Sequence, residues 1–204
     1  MNRSAVILLA SGRSRRFGWR DKLLQDLDGQ PLIAHPAAVL AGQDWLARVA
    51  VCPVDIPRIG EILQDRFVIA LNSQPSRGLG HSISVGVRIA RQFRPEAIVL
   101  CMADTPFLEA SVFERVLERL GGPERISIVH SGSRELVRPP TAFDAACFEA
   151  LEALDGDEGA RDVMRDPIRR VASTEAPEAL LADIDTRADL DQARQQMEIR
   201  SRYR

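Results

Sequence analysis

Ala5-Val6-Ile7-Leu8-Leu9-Ala10-Ser11-Gly12-Arg13-Ser14-Arg15-Arg16-Phe17-Gly18-Trp19-Arg20-Asp21-Lys22 is the stretch on which the fold turns. Its first five residues are continuously apolar and β-prone, as expected of a strand buried on both faces of a parallel sheet. The strand feeds directly into a glycine loop carrying four arginines, and the loop closes on Lys22, the one lysine among 27 basic residues. Glycine lets the backbone approach an anion closely, and consecutive amides can form an anion-binding nest. Arginine neutralises phosphate as a planar fork, lysine as a mobile point charge. The loop is therefore expected to hold a polyphosphate through Gly12, Arg16 and Lys22. It is neither a Walker A loop nor a dinucleotide fingerprint, because Gly-Lys-Ser/Thr and Gly-x-Gly-x-x-Gly are both missing.

Working outward, Ala47–Cys52, Phe67–Leu71 and Ala97–Met102 read as further strands, with Ile126–Val129 as another candidate. Helices are expected over Pro31–Ala41, Ile56–Gln64, the segment after Gly80 carrying Ile83, Val87 and Ala90, and a stretch with Phe113, Val116 and Leu120 ended by Gly121-Gly122. Strand alternating with helix predicts an α/β fold with a mostly parallel sheet. Beyond Val137 the pattern loosens. Helices are expected at Ala145–Ala153, Gly159–Arg165 and Ala188–Met197, a strand near Arg169–Ala172, and fraying from Arg194 to Arg204. At 204 residues, with no linker or repeat, one domain is expected.

A formal charge of −2 gives no argument for nucleic acid or a membrane surface. Three scattered cysteines and three scattered histidines offer no ligand spacing, so buried thiols and a reduced, cytoplasmic setting are expected rather than zinc. No apolar run is long enough for a membrane span.

Ligands of open α/β sheets bind at the carboxyl ends of strands. Three such ends carry unusual residues. Leu9, Ala10, Ser11 and Gly12 follow the first. After the third comes Asn72, a candidate reader of a base edge, then Gly78, Gly80 and Ser82, where a helix N-terminus can meet a ligand. After the fourth comes Asp104-Thr105-Pro106-Phe107, whose carboxylate suits Mg²⁺, a cation that takes one or two carboxylates plus substrate phosphates. Asp157, with Arg161 one turn on, reads as a helix cap.

Together these residues resemble the MobA-like NTP transferases, and within them the molybdenum cofactor cytidylyltransferases. The matching pieces span the chain: Leu9-Ala10-Ser11-Gly12-x-Ser14-x-Arg16-Phe17-Gly18, Asp21-Lys22-Leu23-Leu24, Gly29-x-Pro31-Leu32, Asn72 with Gly78-Leu79-Gly80-x-Ser82, Asp104-x-Pro106-Phe107, Gly156-Asp157-x-Gly159-Ala160-Arg161 and Asp183-Ile184-Asp185-Thr186-x-x-Asp189-Leu190. The resemblance implies a three-layer, Rossmann-like nucleotidyltransferase fold. It further implies transfer of CMP from CTP to the phosphate of a molybdopterin-type acceptor, with release of pyrophosphate. Arg16, Lys22 and Asp104 would be catalytic, Asp104 and Asp185 would hold Mg²⁺, and an apo-molybdoenzyme or its chaperone would be a partner. Ser11 stands where glycine or alanine is usual, and Phe17 where methionine is common. Arg138-Pro139-Pro140-Thr141-Ala142-Phe143 stands where those enzymes usually show a Gly-His-Pro-type segment that would face the acceptor, which makes Arg138 and Pro140 candidate acceptor contacts. The alternatives are GTP as donor, a sugar or polyol phosphate as acceptor, or a cofactor-binding escort without transfer activity.

Overall fold

The computed structural model describes residues 3–12, 17, 21–133 and 136–202, the side chains of the last two excepted. Its first strand, β1 (Ser4–Leu9), is wholly buried. A two-residue hairpin, β2 (Asp26–Leu27) and β3 (Gln30–Pro31), precedes α1 (Ala34–Ala41), so Pro31 ends a strand instead of opening the helix. Then follow β4 (Ala47–Pro53), α2 (Pro57–Leu63), β5 (Val68–Asn72), α3 (Leu79–Ala90), β6 (Ala97–Met102) and α4 (Ala110–Arg119). The remainder is β7 (Ile128–Gly132), β8 (Val137–Asp144), α5 (Phe148–Glu152), α6 (Arg161–Arg165), β9 (Val171–Thr174), α7 (Glu178–Leu181) and α8 (Arg187–Arg202). The last helix thus continues well past Arg194, where the sequence predicts fraying.

Seven strands form one sheet in the order β5-β4-β1-β6-β8-β7-β9. The pairs β1–β4, β1–β6, β4–β5 and β7–β9 are parallel, whereas β8 runs antiparallel to both β6 and β7. Strand periodicity divides the core between the two sheet faces. Val6, Leu8 and Ala10 face a cluster containing Leu40 of α1, Leu63 of α2, Phe113 of α4 and Leu190 of α8. Ala5, Ile7 and Leu9 face Ile83 and Val87 of α3, Leu151 of α5 and Val163 of α6. The architecture is therefore three-layered, helices on both faces of a mostly parallel sheet. Gly86 permits close approach of α3, since a Cβ there would lie 2.7 Å from Ile7 Cγ2.

The chain leaves β1 for β4 on one side and later returns to β6 on the other. Such a reversal opens a crevice beyond the carboxyl ends of the strands. Cys52, Cys101 and Cys147 are buried free thiols, and burial pushes Cys52 up to about 12. Among the described residues no helix is long and apolar enough to cross a membrane.

Candidate active site at the carboxyl edge of the sheet

The end of β1 is clamped by its neighbours: Ala10 N–H donates to the Val51 carbonyl at 2.9 Å, and Ala103 N–H to the Leu9 carbonyl at 3.2 Å. Ser11 and Gly12 then leave the sheet at the crevice. Lys22 re-enters it from a single 3-10 turn, Lys22–Leu24, capped by Asp21, whose Oδ1 accepts from Leu23 N–H at 2.8 Å. Leu23 is buried beneath this turn and anchors it, so Lys22 projects from a fixed point.

Lys22 Nζ donates to Asp104 Oδ2 at 2.7 Å and to Asp185 Oδ1 at 3.0 Å. The placement of both acids follows from local chemistry. Asp104 stands two residues past β6, where Thr105 Oγ1 donates back to the Met102 carbonyl at 2.9 Å and Ile184 N–H donates to the Asp104 carbonyl at 2.9 Å. Asp185 precedes α8, whose start is a capping box. Asp189 Oδ2 accepts from the N–H groups of Asp185 and Thr186, and Asp189 N–H donates to Thr186 Oγ1.

Burial alone would lower the Lys22 pKa, but the attraction of Asp104 and the hydrogen bonds to both carboxylates outweigh it and hold the ammonium above its ordinary value. Burial pushes the Asp104 carboxyl up, Lys22 opposes that, and the nearby Asp183 adds to it. Asp104 Oδ1 is buried and has no hydrogen-bond partner. An ionised oxygen in that state is expensive unless a cation or donor reaches it. Two carboxylates converging on one positive charge, one of them with a buried unmatched oxygen, fit a magnesium ion. Among the described residues no group of three acidic, histidine or cysteine side chains could hold a metal. A magnesium ion held here would take these two carboxylates and fill its shell with phosphate or water oxygens.

A cavity of about 400 Å³ extends from this pair. Leu9, Ser11, Gly12 and Ser82 line it together with Lys22, Asp104 and Asp185. Asn72, Gly80 and Ala10 are buried and are not part of its lining. Asn72 is fully buried and its amide is used internally: Nδ2 donates to Ser11 Oγ at 3.0 Å and Ser82 Oγ at 3.1 Å, while Oδ1 accepts from Gln74 N–H. Both amide hydrogens are used internally, and they fix the two cavity hydroxyls, 2.9 Å apart. Gly80 N–H donates to the Gly156 carbonyl at 2.8 Å, and a Cβ on Gly80 would lie 2.6 Å from the Asp155 carbonyl oxygen. Gly80 is where two loops touch backbone to backbone.

Asp157 is the residue that the cap reading misassigns. The N-cap of α6 is Ala160, without a side-chain hydrogen bond, and Asp157 instead joins the cavity wall beside Gly78. The signal was the Gly78 and Gly156 pair, both at positive φ, which allows the loops to interlock. Pro140 is buried in β8 with its carbonyl accepting from Ser131 Oγ, so it is no accessible acceptor contact. Arg138 is half-buried and lies against Asp183. Arg16 lies outside the described residues.

The MobA-like NTP transferase domain model matches residues 6–184, which contain the whole cavity except Asp185. The purine catabolism protein PucB of Bacillus subtilis is 29% identical over 201 residues, covering 94% of this chain and 96% of its own. A molybdenum cofactor guanylyltransferase of Acidiphilium cryptum is 28% identical over 196 residues, 92% of each chain. In structure, a nucleotidyl transfer enzyme from Methanothermobacter thermautotrophicus superposes with a TM-score of 0.77 at 22% identity, covering 95% of this chain and 96% of its own. A match of this extent, over a sheet edge built around one lysine and two aspartates, means that the chain belongs to the MobA-like NTP transferase family.

Proposed function

We propose that the chain transfers the nucleoside monophosphate of a nucleoside triphosphate to the phosphate of a molybdopterin-type cofactor, releasing pyrophosphate. The observation that carries the reading is the Lys22 ammonium held between Asp104 and Asp185 at the inner end of the cavity. In-line displacement at the α-phosphorus needs alignment and charge neutralisation more than a covalent catalyst. Lys22 neutralises the triphosphate and the leaving pyrophosphate. Asp104 and Asp185 would hold Mg²⁺, which when bound neutralises phosphate oxygens. Ser11 and Ser82, fixed by Asn72, orient the nucleoside. The acceptor phosphate arrives already anionic, so no strong general base is required.

CTP is the donor supported by the Asp21-Lys22-Leu23-Leu24 form of the lysine motif. A second reading, GTP, is supported by the relatives named guanylyltransferases. A panel of the four nucleoside triphosphates with Mg²⁺ and purified molybdopterin separates them by pyrophosphate release. Turnover with CTP supports the first donor and preference for GTP the second. Release with none of the four overturns the acceptor assignment.

A further inference from the structure

Lys22 is not the only cation of this edge held by the Asp183-Ile184-Asp185 tripeptide. Ile184 is buried, and its N–H is fixed to the Asp104 carbonyl. The acids on either side of it diverge: Asp185 takes Lys22, and Asp183 Oδ1 takes Arg138 Nη1 at 3.3 Å. The antiparallel β6–β8 register sets Leu100 opposite Thr141. Beyond that pair β8 leaves regular register, Pro139 and Pro140 falling between the β7 partner pairs His130–Thr141 and Ser131–Arg138, and Arg138 is tied to the edge through Asp183, which adjoins Ile184 and its bond to the Asp104 carbonyl. Arg138 therefore reaches the reaction edge from the β8 side, whereas the nucleotide cavity, which it does not line, opens on the other side of Asp104.

The two ion pairs differ in kind. Lys22 and Asp104 are buried, with side chains 10% and 12% exposed, whereas Arg138 and Asp183 are 28% and 47% exposed and meet through one long contact. An exposed single-contact pair contributes little. A phosphomonoester dianion offers a guanidinium shorter, charge-assisted and bidentate bonds. Arg138 thus has a partner that an incoming phosphate can displace, on the segment that adjoins Asp104 and Asp185.

We propose that Arg138 is the centre of a second anion subsite, on the β8 side of Asp104, for the phosphomonoester of the acceptor, and that Asp183 is the resident carboxylate which this phosphate displaces. The assignment of that phosphate to the acceptor rests on the nucleotidyl-transfer reading above. Asp183 is a competitor within the subsite, so its removal strengthens binding instead of weakening it.

The test is calorimetric titration of inorganic phosphate into the full chain, free and loaded with Mg²⁺ and a non-hydrolysable triphosphate analogue. Arg138→Ala should weaken phosphate binding roughly tenfold or more, the loss of a charge-assisted bidentate contact. Asp183→Asn should tighten it roughly two- to fivefold, the size of an exposed ion pair. Thermal melts of both variants identify any that fails to fold, and Arg138→Lys, which keeps the charge but not the fork, should lie between wild type and alanine. Asp183→Asn that weakens binding or leaves it unchanged overturns the competitor role, and an unchanged Arg138→Ala overturns the subsite. Failure of the analogue to bind overturns the nucleotidyl-transfer reading alone, because the free-protein titrations still rank the variants.

Discussion

Lys22 Nζ and Asp104 Oδ2 meet at 2.7 Å, although 82 residues separate them in the chain. Each residue is only 8% exposed. Removing one member of a buried pair strands the other, at about 3–5 kcal/mol, whereas apolar replacement of both can be nearly neutral. Lys22→Met should therefore lower stability by about 3–5 kcal/mol, and adding Asp104→Leu should restore much of it. Both variants should lose turnover by roughly 10²-fold or more, the scale of removing a transition-state charge stabiliser. Urea denaturation beside steady-state kinetics checks the opposite directions. Lys22→Arg should rescue neither property fully, because the turn delivers a point charge between two carboxylates and a planar fork does not fit that geometry.

The same contacts set the pH response. The Lys22 pKa is raised above its ordinary 10.5, so its contribution to stability is complete below pH 10.5 and disappears as pH rises through the folded value. Asp189 titrates at the other limit. Burial alone would raise its carboxyl, but the N–H groups of Thr186 and Asp185 hold it below 3.8. The capping contribution is therefore complete above pH 3.8 and disappears as pH falls through the depressed value. Thermal melts of wild type should decline at both limits. Lys22→Met should flatten the alkaline decline, and Asp189→Ala the acid decline. The converse pairing would place the linkage elsewhere.

Asn72 separates touching a ligand from arranging what touches it. It is fully buried and bridges Ser11 to Ser82. Asn72→Ala should leave buried hydroxyls and the Gln74 N–H short of a partner, costing about 1–3 kcal/mol. It should also raise the KM for the nucleotide, since both cavity hydroxyls lose the amide that orients them, with a smaller effect on kcat. Ser82→Ala should reproduce the KM effect with less loss of stability. A kcat defect from Asn72→Ala without a KM change would contradict the arrangement role.

Why some of this was legible in the sequence and some not has a physical basis. β1, β4 and β6 read directly, because burial on both faces leaves near-continuous apolar runs, and the edge strand β5 read as apolar although Val68 and Leu71 are exposed. Lys22 and Asp104 were legible as types beyond strand ends, where ligands collect in α/β sheets, and Asp185 through the family resemblance. β8 escaped, because Pro139 and Pro140 lie inside it and proline argues against a central strand. With β8 missed, nothing could bring Arg138 to Asp183, which had no visible partner. Asn72 was ambiguous for a related reason. A polar residue at a strand end signals a ligand or an internal hydrogen-bond network equally well, and only the positions of Ser11 and Ser82 distinguish the two. Asp157 fits a cap by spacing, but its interlock with Gly78 joins segments about 80 residues apart, beyond any local pattern.

That interlock carries the last prediction. A Cβ on Gly78 would lie 2.4 Å from Asp157 Oδ1, and one on Gly80 would lie 2.6 Å from the Asp155 carbonyl oxygen. Gly78 also has a φ of +98°, so its substitution mixes backbone strain with the clash. Gly80 lies in the first turn of α3 without a positive φ, which makes Gly80→Ala the cleaner probe of loop contact. The obstacle is backbone, not the end of a flexible side chain, so the Asp155–Asp157 loop must move away. Overpacking of this kind costs about 1–3 kcal/mol. Because Asp157 and Gly78 both line the cavity, the shift should also weaken nucleotide binding. Gly121→Ala is the control, with nothing within 4 Å and a φ of +79° far from the cavity lining. It should lose about 1–2 kcal/mol from backbone strain and leave nucleotide affinity unchanged. Calorimetric titration of the triphosphate analogue into both variants decides the matter: equal affinities would mean that the loop contact supports the fold without shaping the cavity.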